Sequence, residues 1–136
     1  MTRRTSSMLE THPGDTRTID RQTLAACIEA CFECSQACTV CADACLAEDM
    51  VAELRHCIRV NADCADICDT TGRVLSRQTG RSIAVSRALL QACQEACAAC
   101  AEECEQHSGM HEHCRLCLEA CRICEQACVD LLAAMG

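Results

Sequence analysis

The sequence predicts an all-α protein: an up-down-up-down antiparallel four-helix bundle with a cysteine-lined core. Three observations carry that prediction. Eighteen cysteines stand among 136 residues, and within four segments 13 of the 14 gaps between neighbouring cysteines are three or four residues long. Residues at that spacing share one face of a helix. The composition, with one Pro, five Gly and Phe32 as the single aromatic residue, favours helix throughout. The segments are joined by short connections, which make consecutive helices antiparallel neighbours.

Residues 1–16 are polar, include the only proline, Pro13, and read as a mobile tail or short flanking segment before a bundle spanning 17–136. Asp15 and Thr18 are N-cap residue types, and the first bundle helix is expected over about 18–46. Its stripe is Cys27, Cys31, Cys34, Cys38, Cys41 and Cys45. Continuing that phase gives Glu48, Ala52 and Arg55, unsuited to a core, so a break is expected near residues 47–49. Asp49 can cap a second helix, about 49–77, striped by Met50, Leu54, Cys57, Asn61, Cys64, Cys68, Thr71 and Leu75, with Gly72 weakening its end. Residues 78–82 read as a connection around Gly80. A third helix, about 82–107, carries Ser86, Leu89, Cys93, Cys97, Cys100, Cys104 and His107 in one register. Ser108 and Gly109 supply a turn. The fourth helix, about 110–135, carries Met110, Cys114, Cys117, Cys121, Cys124, Cys128, Leu131 and Met135.

Bulk properties exclude several classes of function. The formal charge is −8 and no basic run offers a nucleic-acid footprint. No stretch approaches the ~20 apolar residues of a membrane span. The first residues contain adjacent arginines but no apolar h-region, so a cytoplasmic location is expected, where thiols persist as thiols. No nucleophile–base pair or Gly-rich loop is evident, so no enzymatic activity is expected.

A core of thiols is poor packing material. Cys is too small to fill the space between helices whose axes lie 8–10 Å apart, and residual cavity costs roughly 24 cal/mol per Å³. Cross-bundle disulfides need Cα atoms closer than that spacing comfortably allows. Metal ligation meets every constraint, because thiolates are soft donors that select Cu(I), Zn or Fe–S clusters. Structural zinc commonly uses His or short knuckles in loops, and Fe–S sites use converging loops, frequently with a following Pro. Cu(I) is satisfied by two or three thiolates. The pairs Cys27/Cys31, Cys34/Cys38, Cys41/Cys45, Cys64/Cys68, Cys93/Cys97, Cys100/Cys104, Cys117/Cys121 and Cys124/Cys128 each place two sulfurs on one helix face. Charge separates the metals: one monovalent ion per thiolate leaves the interior neutral, whereas one divalent ion on four thiolates leaves it at −2. The reading is therefore multiple Cu(I) ions per chain. A zinc-binding metallothionein-like protein and an Fe–S or redox-sensing cysteine-rich protein stand as alternatives.

The two ends of such a bundle differ. One collects Met50, His107, Met110, His111 and His113, soft and borderline donors placed as a mouth for copper uptake and release; the competing reading is solvated polar residues around a turn. The other collects Leu24, Leu75, Leu89 and Leu131, with Ile83 and Leu132 nearby, as an apolar plug. His12 and His56 have no such context. Asn61 stands where a cysteine would continue the repeat, and either offers its carbonyl oxygen to a metal or hydrogen-bonds across the core.

The four cysteine stripes, the C-x3-C pairs and the His/Met mouth, over about residues 18–135, resemble the bacterial copper storage proteins, specifically their cytosolic branch. The resemblance implies a four-helix bundle, commonly a homotetramer, that stores many Cu(I) ions. Copper ions, with a copper-delivering chaperone or small thiol, are the partners it implies. It makes the eighteen stripe cysteines the ligands, and matches His107, His111, His113 and Met50 to the family's mouth and Asn61 to a non-thiol core position.

Overall fold

The computed structural model describes residues 2–14 and 19–136. Asp15 and Thr18, read above as helix caps, lie outside the described residues. The cap of the first long helix is instead Asp20. Its carboxylate accepts from the backbone N–H of Thr23 at 3.0 Å and from the Thr23 hydroxyl at 2.6 Å. This satisfies donors that helical geometry leaves orphaned and draws the Asp20 carboxyl below its ordinary pKa, first through the Thr23 hydroxyl.

Five α-helices occupy the described residues: α1 (Thr2–Glu10), α2 (Arg21–Leu46), α3 (Arg55–Ser76), α4 (Ile83–His107) and α5 (Glu112–Ala134). The last four form a ring in which α2 packs on α3 and α5, and α4 packs on the same two. Sulfur contacts fix the directions. Cys31 meets Cys124 and Cys41 meets Cys114, each at 3.9 Å, so α2 and α5 are antiparallel. Cys64 meets Cys97 at 3.9 Å and Cys68 meets Cys93 at 3.7 Å, so α3 and α4 are antiparallel, while Cys34 meets Cys97 at 4.0 Å and Cys38 meets Cys100 at 3.8 Å, so α2 and α4 are parallel. The chain therefore runs up, down, up and down, with every cysteine stripe turned inward.

Several local expectations are corrected. The segment read as a mobile tail or short flanking segment carries helix α1, which packs on α2 and buries Leu9. His12 links this segment to the α3–α4 connection, its Nε2 lying 3.1 Å from Thr79 Oγ1. Asp49 does not cap the second bundle helix: a 3-10 turn, Val51–Leu54, precedes α3, whose capping position is Leu54, fully buried. The fourth bundle helix starts at Glu112, with His111 in the capping position, so Met110 sits in the turn and is exposed. Helix α2 does meet the length and hydropathy of a membrane span, with a mean hydropathy of 1.3 over its most apolar 18 residues. Half of that window is buried in the bundle, and the six cysteines of α2, which contribute to its apolarity, all face the other helices.

The plugged end is built from Leu24, Leu75, Leu90 and Leu131, all buried. Leu90, not Leu89, points inward, and Ile83 is 41% exposed and takes no part. Thr71 lies on the sulfur side of Leu75 and Ser86 one turn beyond Leu90 on the far side, and both are buried; the Thr71 hydroxyl donates to the Ile67 carbonyl at 2.7 Å, so it enters the core without an orphaned donor. Gly72 has a specific task here. A Cβ at that position would lie 2.9 Å from Phe32 Cζ, so the absent side chain lets the Phe32 ring lie against α3.

Candidate metal centre

All eighteen cysteines are buried and free. The C-x3-C spacing brings paired sulfurs together as helical geometry requires: 3.8 Å for Cys34/Cys38, 3.7 Å for Cys64/Cys68, 3.9 Å for Cys117/Cys121 and 4.0 Å for Cys100/Cys104. Contacts across the ring are as short, 3.6 Å for Cys68/Cys97 and 3.7 Å for Cys38/Cys121. These separations suit sulfurs that share an ion, and are far too long for S–S bonds of about 2.05 Å.

The sulfurs gather into quartets whose members all lie within 4.8 Å of one another. Five of these groups, from the leucine plug upward, are Cys31/Cys93/Cys124/Cys128, Cys34/Cys68/Cys97/Cys124, Cys34/Cys38/Cys64/Cys121, Cys38/Cys100/Cys117/Cys121 and, nearest the mouth among them, Cys41/Cys45/Cys57/Cys114. The lower four share corners at Cys34, Cys38, Cys121 and Cys124, so they comprise twelve distinct cysteines. Distance alone admits a tetrahedral ion such as Zn, whose ~2.3 Å bonds to sulfur set a similar S···S edge. Sharing and charge decide the matter. Four divalent ions on twelve thiolates leave about −4 in a dry interior, whereas monovalent ions bridged by shared thiolates neutralise it one for one.

Protonation follows burial and mutual hydrogen bonding. Near the mouth, burial raises the Cys45 thiol and pushes Cys114 up to about 12, the charge of Cys45 adding to the latter. Deeper, Cys31, Cys68 and Cys97 are held up, first by hydrogen bonds with Cys124, and Cys38 by its bond with Cys100. Cys34 and Cys93 are drawn down, first through bonds with Cys121 and Cys124. At the two ends of the array Cys27 falls to about 5, first through Cys128, and Cys104 to about 4, first through Cys100. A thiol that keeps its proton for a neighbour stabilises that neighbour's thiolate, and one proton thereby divides the pair.

Asn61 is fully buried and hydrogen-bonded across the core. Its Oδ1 accepts from Cys117 Sγ at 2.9 Å and Cys100 Sγ at 3.3 Å, while Nδ2 donates to the Cys57 carbonyl at 2.8 Å and Cys57 Sγ at 3.3 Å. It thus stands between the highest of the linked quartets and the mouth quartet. Of the predicted mouth residues, His111 is buried and His107 and His113 are half-buried, with Met50 packed against the core. His113 Nδ1 lies 3.4 Å from Cys41 Sγ and 3.6 Å from Cys114 Sγ, joining the histidines to the thiols. Met110 is turned to solvent.

Two carboxylates at the mouth were absent from the predicted set. Glu103 Oε2 lies 2.9 Å from His107 Nε2, and Glu48 Oε2 lies 2.9 Å from His113 Nε2 and 3.0 Å from His111 Nδ1. The His113 contact holds the Glu48 carboxyl below its ordinary pKa. A signal for Glu48 existed, since it occupies the next position of the α2 stripe beyond Cys45. Glu103 lies off the cysteine stripe, and its signal was the i,i+4 spacing from His107.

A ring of four helices enclosing linked thiol quartets, with imidazoles at one end and leucines at the other, defines the class: a cysteine-lined helical metal-binding protein with room for many ions. The chain belongs to the copper storage protein family, whose model matches residues 20–133. It is similar to the copper storage protein Ccsp from Streptomyces lividans, solved loaded with 10 copper equivalents, at 58% identity and a TM-score of 0.94, covering 96% of this chain and 98% of that one. It is similar also to the Cu(I)-bound copper storage protein BsCsp3, at 34% identity and a TM-score of 0.72, covering 81% of this chain and 98% of the other. The cysteine-rich protein YhjQ of Bacillus subtilis (strain 168) is 35% identical over 108 residues, 79% of this chain and 94% of that protein.

Proposed function

We propose that this protein stores and sequesters many Cu(I) ions in the cytoplasm, held as cargo by its eighteen core thiolates. The observation that carries the reading is the set of corner-sharing sulfur quartets, which a monovalent soft ion can fill without leaving net charge in the interior. The cytoplasmic location is supported by a structural relative from Streptomyces lividans described as a cytosolic copper storage protein. Storage, rather than turnover of a substrate, is the role. Assembly as a homotetramer, and exchange of copper with a chaperone or small thiol, complete the reading.

In the loaded protein all eighteen cysteines serve as ligands. His107, His111, His113 and Met50 handle ions at the mouth, and Asn61 spaces the mouth quartet from those below. The decisive experiment is titration of the reduced apoprotein with Cu(I) against a competing chelator. Two unshared thiolates per ion give a capacity of about nine, and one bridging thiolate per ion about eighteen, so saturation is expected within that range. Saturation at one to four ions would refute storage and favour a zinc or regulatory site. Replacing His107, His111 and His113 together is expected to slow uptake and removal while leaving capacity nearly intact.

A further inference from the structure

Glu48 lies in the turn after α2, one stripe position beyond Cys45, and is partly exposed. A single oxygen, Oε2, is within hydrogen-bond distance of two histidines: His111 through Nδ1 at 3.0 Å and His113 through Nε2 at 2.9 Å. The two rings stack, their centroids 5.5 Å apart at 21°. An ionised carboxylate only accepts and would repel a bare nitrogen lone pair at about 3 Å, so each ring presents an N–H toward it, His113 in a hydrogen bond and His111 in a close N···O approach. A neutral imidazole has one N–H, and the proton that faces Glu48 leaves the opposite nitrogen bare. For His113 the bare atom is Nδ1, the one beside Cys41 and Cys114. For His111 it is Nε2, which is buried and has no hydrogen-bond partner among the described residues. A buried imidazole nitrogen without a partner is costly unless something occupies its lone pair.

We propose that Glu48 is a positioning residue that fixes opposite tautomers of His111 and His113, so that both rings meet arriving copper with an unprotonated nitrogen. Free imidazole side chains favour the Nε2–H form, and His113 adopts that form in any case. His111 is the ring on which Glu48 imposes the less common Nδ1–H form, releasing Nε2. One carboxylate oxygen thereby prepares two donors of different geometry, as outer carboxylates do for metal-bound histidines. The functional half of this inference rests on the copper-storage reading above. The tautomeric half does not.

The test uses the full-length reduced apoprotein, labelled with 15N, at a pH where imidazole is neutral. Long-range 1H–15N spectra are expected to show His111 as Nδ1–H and His113 as Nε2–H. In Glu48→Ala, His111 reverts to Nε2–H. In Glu48→Gln, whose amide oxygen can still accept both N–H groups, the wild-type pattern persists. The initial rate of Cu(I) transfer from a chelator complex is expected to fall about tenfold or more in Glu48→Ala and to recover in Glu48→Gln, with capacity unchanged. Finding His111 as Nε2–H in the wild type, or unchanged by Glu48→Ala, overturns the inference. So does a Glu48→Ala protein with altered tautomers and an unaltered rate. Failure of the wild type to take up copper would sink the storage reading, and the spectra would still decide the tautomers.

Discussion

Copper loading at the mouth is expected to tighten steeply with pH. Cys45 and Cys114 belong to the outermost quartet, and burial raises both, Cys114 to about 12. Both therefore hold their protons through neutral pH, whereas Cu(I) takes the thiolate, so each must release a proton when an ion binds. An ion held by both should gain about 100-fold in apparent affinity per pH unit, or about 10⁴-fold between about pH 6 and pH 8. One held by a single raised thiol should gain about tenfold per unit. Competition with a chelator of known protonation behaviour measures the slope. An indicator dye in weakly buffered solution counts the protons released per ion. The apoprotein carries the complementary signature. A thiol raised above its ordinary ~8.5 contributes stability that is fully present below that value and lost as pH climbs through the folded one. Urea midpoints of the apoprotein should therefore fall above about pH 8.5, while those of the loaded protein should not. Affinity independent of pH, with no proton release, would mean that the thiolates are preformed and that burial does not govern their protonation.

Two further substitutions test the frame that holds the thiols. Leu90 is fully buried in the plug, so Leu90→Ala should destabilise the apoprotein by about 2–5 kcal/mol in urea denaturation while leaving copper capacity unchanged; a loss of capacity would make the plug part of the store. Gly72→Ala sets a helix-propensity gain of about 1 kcal/mol against displacement of the Phe32 ring. The gain should appear in full only in a Phe32→Leu background, and equal effects in both backgrounds would refute the close approach as the reason for glycine.

The sulfur stripes were legible because a thiol repeated at helical spacing has one face on which to lie, and four such faces joined by short turns can only converge. What the spacing leaves open is any choice between two residues that both obey it. From Ser86 to Cys93 the chain can step through Leu89 or through Leu90, since three-then-four and four-then-three are equally helical. The neighbouring helices choose Leu90, which is fully buried while Leu89 is not. Helix α1 was hidden for a related reason. It is polar along most of its length and gains its partner, α2, through Leu9, a contact no local pattern encodes.

Glu48 shows how one position can carry two meanings. On the α2 stripe a carboxylate is incompatible with a dry core, so the repeat must end before it, and α2 does end at Leu46. The same phase nevertheless carries the side chain to the top of the sulfur column, where its oxygen reaches His111 and His113. A helix that stopped in another phase would have sent this carboxylate to the outer surface. Asn61 makes the corresponding point inside the core. It keeps the stripe's register while replacing a thiol, and its amide spans from Cys100 and Cys117 on one side to Cys57 on the other. Periodicity thus told where a non-thiol group would point. Only the assembled ring tells which sulfurs that group divides, because quartet membership depends on the relative height of four helices, and no single stripe contains it.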